Sequence, residues 1–146
     1  MTDRIEITRV FAASRERVWR EWTEPERFAD WFGGVESEVP LSSVSMDVRA
    51  GGAWSLTMHA ARGELFWHGE YREVVEPERI VFTVTDQPPE TADYALVIVE
   101  LEDLGDGRTE MRFQQRGPMP DAQARAARAG WGLFFDRIAE RLAATR

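Results

Sequence analysis

Residues 10–34 read VFAASRERVWREWTEPERFADWFGG, and they set Phe11, Trp19, Trp22, Phe28, Trp31 and Phe32 in a stretch otherwise dense in charge. Rings at this density either fill a core or line a pocket. Their spacing predicts two short helices. Ser14 suits an N-cap, and Val18, Trp19 and Trp22 share one helical face, which gives an amphipathic helix over 15–23. The TEPE that follows has the Thr-x-x-Glu form of a capping box, so Thr23 is expected to start a second helix carrying Phe28, Trp31 and Phe32. Gly33 and Gly34 end it.

Upstream, Ile5 and Ile7 alternate with polar neighbours before Val10 and Phe11, the pattern of a half-buried strand over 4–11. Downstream, 35–43 reads as a loop, and the apolar period then changes to two. VSMDV sets Val44, Met46 and Val48 on one face and WSLTMH does the same with Trp54, Leu56 and Met58; RAGG between them predicts a hairpin. LFWHGEYREVV, RIVFTVT, YALVIVELEDL and TEMRFQQR are four more strand-like runs, divided by EPE, DQPPET and GDG, for seven strands in all. From Asp121 to about Thr145, Ala124, Ala127, Trp131, Phe134, Phe135, Ile138 and Leu142 recur at three- and four-residue steps, one helix of about 37 Å.

The order strand, helix, helix, six strands, long helix makes an α+β protein: an antiparallel sheet with one apolar face, and only the last helix long enough to cover it. The 146 residues suit a single domain spanning 1–146. A twisted sheet curving around one helix touches it along a line and diverges elsewhere, which leaves room for a ligand. The two glycines of GWG at 130–132 each cost a helix interior about 1 kcal/mol relative to alanine. Close approach of another backbone, room for the Trp131 ring, a kink that opens a pocket, or close packing alone could offset that cost.

Eighteen basic against twenty-six acidic side chains give a formal charge of −8. A phosphate backbone is repelled by such a surface, so nucleic-acid binding is not expected. With no cysteine, disulfides and thiolate metal sites are excluded. The start, MTDRIEITRVF, lacks the apolar run of a signal peptide, and no segment has the length of a membrane span. A cytoplasmic protein without membrane insertion is the expectation.

FAASRERVWREWTEPERFADWFGG, VSMDVRAGGAWSLTMH, GEYREVVEPERIVFT and GWGLFFDRIAERL together resemble successive motifs of the family of homologues of the activator of heat-shock protein 90 ATPase. The resemblance covers nearly the whole chain and places it in the START/Bet v1-like, or SRPBCC, superfamily. It implies a helix-grip fold: a curved seven-stranded antiparallel sheet around the C-terminal helix, with two short helices after the first strand and a hydrophobic cavity inside. Members of the superfamily include ligand carriers, cyclases and a co-chaperone domain, so fold alone does not choose a function.

Strand alternation and the stripe of the last helix turn Trp54, Leu56, Met58, Trp67, Tyr71, Phe82, Val97, Val99, Phe113, Trp131, Phe134 and Phe135 inward, where they would line the cavity or, taken singly, serve as core residues. Tyr71, Tyr94 or Gln115 would supply the few polar groups that orient a ligand. Trp22, Phe28, Trp31 and Phe32, with Trp19, are expected to close one end of the sheet and gate the cavity mouth, with plain core packing the other role open to most of them. His59 and His68 fall on the outer face and are expected to look at solvent, and no zinc motif, phosphate loop or nucleophile elbow occurs. No catalytic residue, metal ligand or cofactor is therefore assigned. The leading function is binding of a hydrophobic or aromatic small molecule, by a monomer or a homodimer. The alternatives are a cyclase or dehydratase that uses Tyr71 as a donor, and a co-chaperone-like interaction module. The last has no support in the residues, because the eukaryotic activator carries a further N-terminal domain where this chain opens on its first strand.

Overall fold

A computed structural model describes residues 1–34 and 37–144. Strand β1 (Thr2–Phe11) is followed by helices α1 (Arg15–Thr23) and α2 (Pro25–Trp31) and a 3₁₀ turn (Leu41–Ser43). Strands β2 (Ser45–Met46), β3 (Ala53–Ala60), β4 (Gly63–Val75), β5 (Arg79–Val84), β6 (Ala95–Gly105) and β7 (Arg108–Met119) come next, and helix α3 (Asp121–Ala144) ends the described chain. The seven strands form one sheet in the order β1-β7-β6-β5-β4-β3-β2. Every pairing is antiparallel. The chain leaves β1 through the two helices, crosses to the far edge, and returns hairpin by hairpin until β7 pairs with β1. This is the helix-grip arrangement that the sequence led us to expect.

Ser14 caps α1, its Oγ accepting from the Arg17 backbone N–H at 3.3 Å. The capping box expected at Thr23 does not form. Thr23 remains the last residue of α1 and its hydroxyl donates to the Trp19 carbonyl at 3.0 Å. Glu24 takes the N-cap position of α2 without a side-chain bond to the helix backbone, and Pro25 follows as the first helical residue. The reason is steric: a residue before proline is driven out of the helical region, and Glu24 is extended at φ −99°, ψ 125°. Strand β2 is also shorter than the 44–48 run predicted. The Asp47 N–H bonds the Ala53 carbonyl and the chain then turns through 47–52, where a Cβ on Gly52 would lie 2.0 Å from the Asp47 carbonyl oxygen. Of the expected 35–43 loop, residues 35 and 36 lie outside the described residues, as does residue 145 of the last helix.

Helix α3 lies along β1. Arg9 donates to the Gly132 carbonyl at 3.0 Å and pairs with Asp136, and Arg17 reaches the Leu142 carbonyl at 2.7 Å. Its buried stripe is Trp131, Phe135, Ile138 and Leu142. The rings of α1 and α2 are driven between this stripe and the sheet. Trp22 is 1% exposed and Trp31 is fully buried, with ring centroids 4.8 Å apart, and Trp22 also meets Phe82, Phe113 and Phe135. Phe28 packs on Trp31 at 4.9 Å and on Phe32 at 5.0 Å.

Of the two roles open to these rings, gating a mouth and packing a core, the geometry supports packing. Trp22, Phe28 and Trp31 are the centre of the core, because two short helices wedged under α3 must bury their wide faces somewhere. A buried carboxylate locks the wedge: Glu21, 1% exposed, accepts from Arg141 of α3 at 2.7 Å and lies 3.6 Å from Arg27. Arg141 also pairs with Asp30.

Candidate ligand-binding pocket

The residues of α3 change size along the helix. Its first half presents Ala124, Ala127 and Gly130 to the interior, and its second half Trp131, Phe134, Phe135, Ile138 and Leu142. Helices α1 and α2 fill the space under the wide half. Under the narrow half, away from β1, a pocket of about 530 Å³ remains, within the range of ordinary small-molecule sites.

Its walls come from five places. Strands β3 and β4 supply Met58, Ala60, Leu65 and Trp67; the end of β5 and the connection to β6 supply Val84, Thr85, Asp86, Gln87, Asp93 and Ala95. Gln115 of β7 joins them, and α3 contributes Gln123, Ala127, Gly130, Trp131 and Phe134. Phe32, Gly33 and Ser37 close the side below α2. All the strand contributors sit at one end of the sheet, where the β3–β4 and β5–β6 connections meet the start of α3.

Of the residues expected to line a cavity, the structure brings Met58, Trp67, Trp131 and Phe134 to this wall, and Phe32 from the expected mouth. It places Trp54, Leu56, Tyr71, Phe82, Val97, Val99, Phe113 and Phe135 in the packed core instead. They face inward as alternation requires, but the rings of α1 and α2 occupy the space in front of them: Trp54 meets Phe28 and Phe32 at 5.9 and 6.2 Å, and Phe113 meets Trp22 at 6.4 Å. Burial raises the Tyr71 phenol above its ordinary pKa, and the Asp47 carboxylate raises it further.

Gln115 is the polar group of the pocket interior whose orientation the structure defines. Its Oε1 accepts the indole N–H of Trp131 at 2.7 Å. Indole donates only, so the carbonyl oxygen of the amide faces Trp131 and the NH₂ end is left to face elsewhere. Among the described residues that NH₂ has no acceptor.

His68 departs from its expected exposure. It is on the outer sheet face, yet only 8% exposed, because the 86–94 connection folds over it. Its Nε2 lies 2.7 Å from the Gln87 carbonyl oxygen, which makes Nε2 the donor, and Nδ1 lies 3.4 Å from the Tyr94 hydroxyl. Phe66 stacks on the ring at 5.2 Å. Tyr94 itself is 44% exposed and outside the pocket wall. The histidine thus pins the connection that forms one side of the pocket. Sequence reasoning missed this role. The available signal was the position of DQPPET, which antiparallel pairing carries to the same sheet end as the β3–β4 turn. His59, as expected, is solvent-facing and lies 3.2 Å from Glu64.

The glycines flanking Trp131 are not there for a neighbouring backbone: a Cβ at Gly130 or Gly132 would meet no atom within 4 Å. Gly130 instead faces the pocket.

The fold and pocket define a helix-grip protein of the SRPBCC superfamily, and comparison with known proteins agrees. The family model described as Activator of Hsp90 ATPase homolog 1-like protein matches residues 12–143, and the chain belongs to that family. Among solved structures, a protein from Chromobacterium violaceum superposes with a TM-score of 0.85 at 26% identity, covering 97% of this chain and 98% of the other. One from Nitrosomonas europaea gives 0.84 at 23% identity over 99% and 96%. A structure titled as the AHSA1 protein from Silicibacter pomeroyi gives 0.85 at 19% over 98% and 99%. These likenesses concern the fold. No curated protein matches the sequence. Among the described residues, no helix is long and apolar enough to cross a membrane and no three acidic or histidine side chains are grouped to hold a metal ion.

Proposed function

We propose that the protein binds a small molecule with a flat apolar or aromatic body in the pocket between α3, β3, β4 and the 86–94 connection. The observation that carries this reading is the pocket itself: about 530 Å³ walled by Phe32, Met58, Leu65, Trp67, Trp131 and Phe134. A space of this size leaves the large rings on its wall facing water, and moving apolar surface out of water is favourable. A guest stacked on Trp131 and Trp67 would take that ring surface out of water, and the free NH₂ of Gln115 would donate to an oxygen of the guest. The family relationship supports the same reading, because the SRPBCC fold is typically a ligand-binding one.

The test is a native mass spectrum of freshly purified protein, followed by denaturing extraction, with calorimetric titration of 1-naphthylmethanol as a defined probe. A bound mass of a few hundred daltons, or saturable binding of the probe that Gly130→Leu abolishes, is the expected result. A clean apo mass together with no saturable probe binding overturns the reading.

A further inference from the structure

Among the described residues, the ionisable side chains on the pocket wall are Asp86 and Asp93, and no basic side chain contributes to it. Elsewhere on the sheet carboxylates are shared by arginines, Glu73 and Glu100 by Arg79, Glu102 and Glu110 by Arg112. Asp86 and Asp93 have no such neutralising partner among the described residues. Asp86 accepts only the amide of Gln87, at 3.0 Å. Both sit on the 86–94 connection, whose position His68 holds through the Gln87 carbonyl and the Tyr94 hydroxyl. Their negative charge is therefore uncompensated and held in place at the rim.

The rings within the pocket have the same preference. The faces of Trp67, Trp131, Phe134 and Phe32 are the negative side of an aromatic quadrupole and attract a cation. The neutral donors on the wall, such as Gln115, Gln123 and Ser37, can bond an oxygen but cannot neutralise a full negative charge. A net charge of −8 adds a long-range term of the same sign.

We infer that the pocket selects molecules carrying a protonated nitrogen beside a flat apolar body, and discriminates against carboxylate- and phosphate-bearing ones. This rests on the reading that the pocket binds a small molecule, and it names the charge class of that molecule. Each exposed carboxylate is worth up to about fivefold in affinity for a cation at its side, by analogy with surface ion pairs. Together with the ring faces, the expected preference for a cation over a neutral isostere is on the order of tenfold.

The experiment uses three naphthalenes that differ in one group: 1-naphthylmethylammonium, 1-naphthylmethanol and 1-naphthoate, titrated into the full chain by calorimetry at pH 7. The expected order of affinity is cation, neutral, anion. The advantage of the cation should shrink between 50 and 500 mM salt, since charges at a rim are screened, and should collapse in Asp86→Asn/Asp93→Asn. If the alcohol binds while the ammonium binds no more tightly than the naphthoate, the inference fails and the binding reading stands. If the order persists unchanged in the double variant, the carboxylates are not its cause and the inference also fails. If no probe binds, the binding reading falls and the inference falls with it.

Discussion

The indole N–H of Trp131 donates to Oε1 of Gln115 at 2.7 Å, joining α3 to the inward face of β7 at the pocket wall. Gln115→Leu leaves that N–H without its acceptor, which costs about 1–3 kcal/mol for a desolvated donor. The variant should melt at lower temperature, and its affinity for 1-naphthylmethanol should drop as the free NH₂ disappears. Thermal unfolding and calorimetry on one preparation check both effects. A variant as stable as the parent would show the bond to be dispensable.

Gly130 separates stability from binding. Its added Cβ would meet no atom within 4 Å, so Gly130→Ala should raise stability by up to about 1 kcal/mol through helix propensity alone. Gly130→Leu places a branched side chain in the pocket and should remove probe binding while the protein stays folded. Chemical denaturation and titration of the two variants give the comparison.

The carboxylate of Glu21 is buried against Arg141 and within reach of Arg27. Removing it takes a charge-assisted hydrogen bond from Arg141, which keeps Asp30, and a neighbouring charge from Arg27, which keeps Glu24, so Glu21→Ala should destabilise by about 1.5–3 kcal/mol. Its reach extends to all three helices, and urea unfolding should show the loss. A change under 1 kcal/mol would mean that water replaces the carboxylate without penalty.

Tyr71 makes the alkaline limb of stability testable. Burial, and then Asp47, raise its folded pKa above the ordinary value of about 10. The folded state thus holds the phenolic proton more tightly than the unfolded chain. The stabilisation is complete below about pH 10 and is lost as pH rises beyond it and the unfolded chain ionises. Urea midpoints at pH 8 and pH 10.5 should fall further apart in the parent than in Tyr71→Phe. An equal fall in both would assign the alkaline loss to other groups.

His68 ties the pocket rim to the sheet by its 2.7 Å contact with the Gln87 carbonyl oxygen. His68→Ala should speed amide exchange across 86–94 and leave the β6–β7 pairing protected. Exchange confined to other segments would deny the histidine this tethering role.

Much of the architecture was legible in residue order. Local periods decide which residues face inward and which elements form, so the long β runs, the Ser14 cap and the stripe from Trp131 to Leu142 could be read directly. What fills the space opposite an inward face is a property of two elements at once. Trp54, Phe82 and Phe113 face inward as alternation demands, yet Trp22 and Phe28 stand in front of them, while Met58, Trp67 and Gln115, equally inward, face open space. The same holds for His68, which alternation puts on the outer face and a connection some twenty residues later buries. Side-chain periodicity is set within a few residues, by the geometry of a single backbone. A cavity is set by the distance between backbones, which depends on where α3 settles along β1 and where its side chains shrink to alanine and glycine, and only the assembled structure decides that.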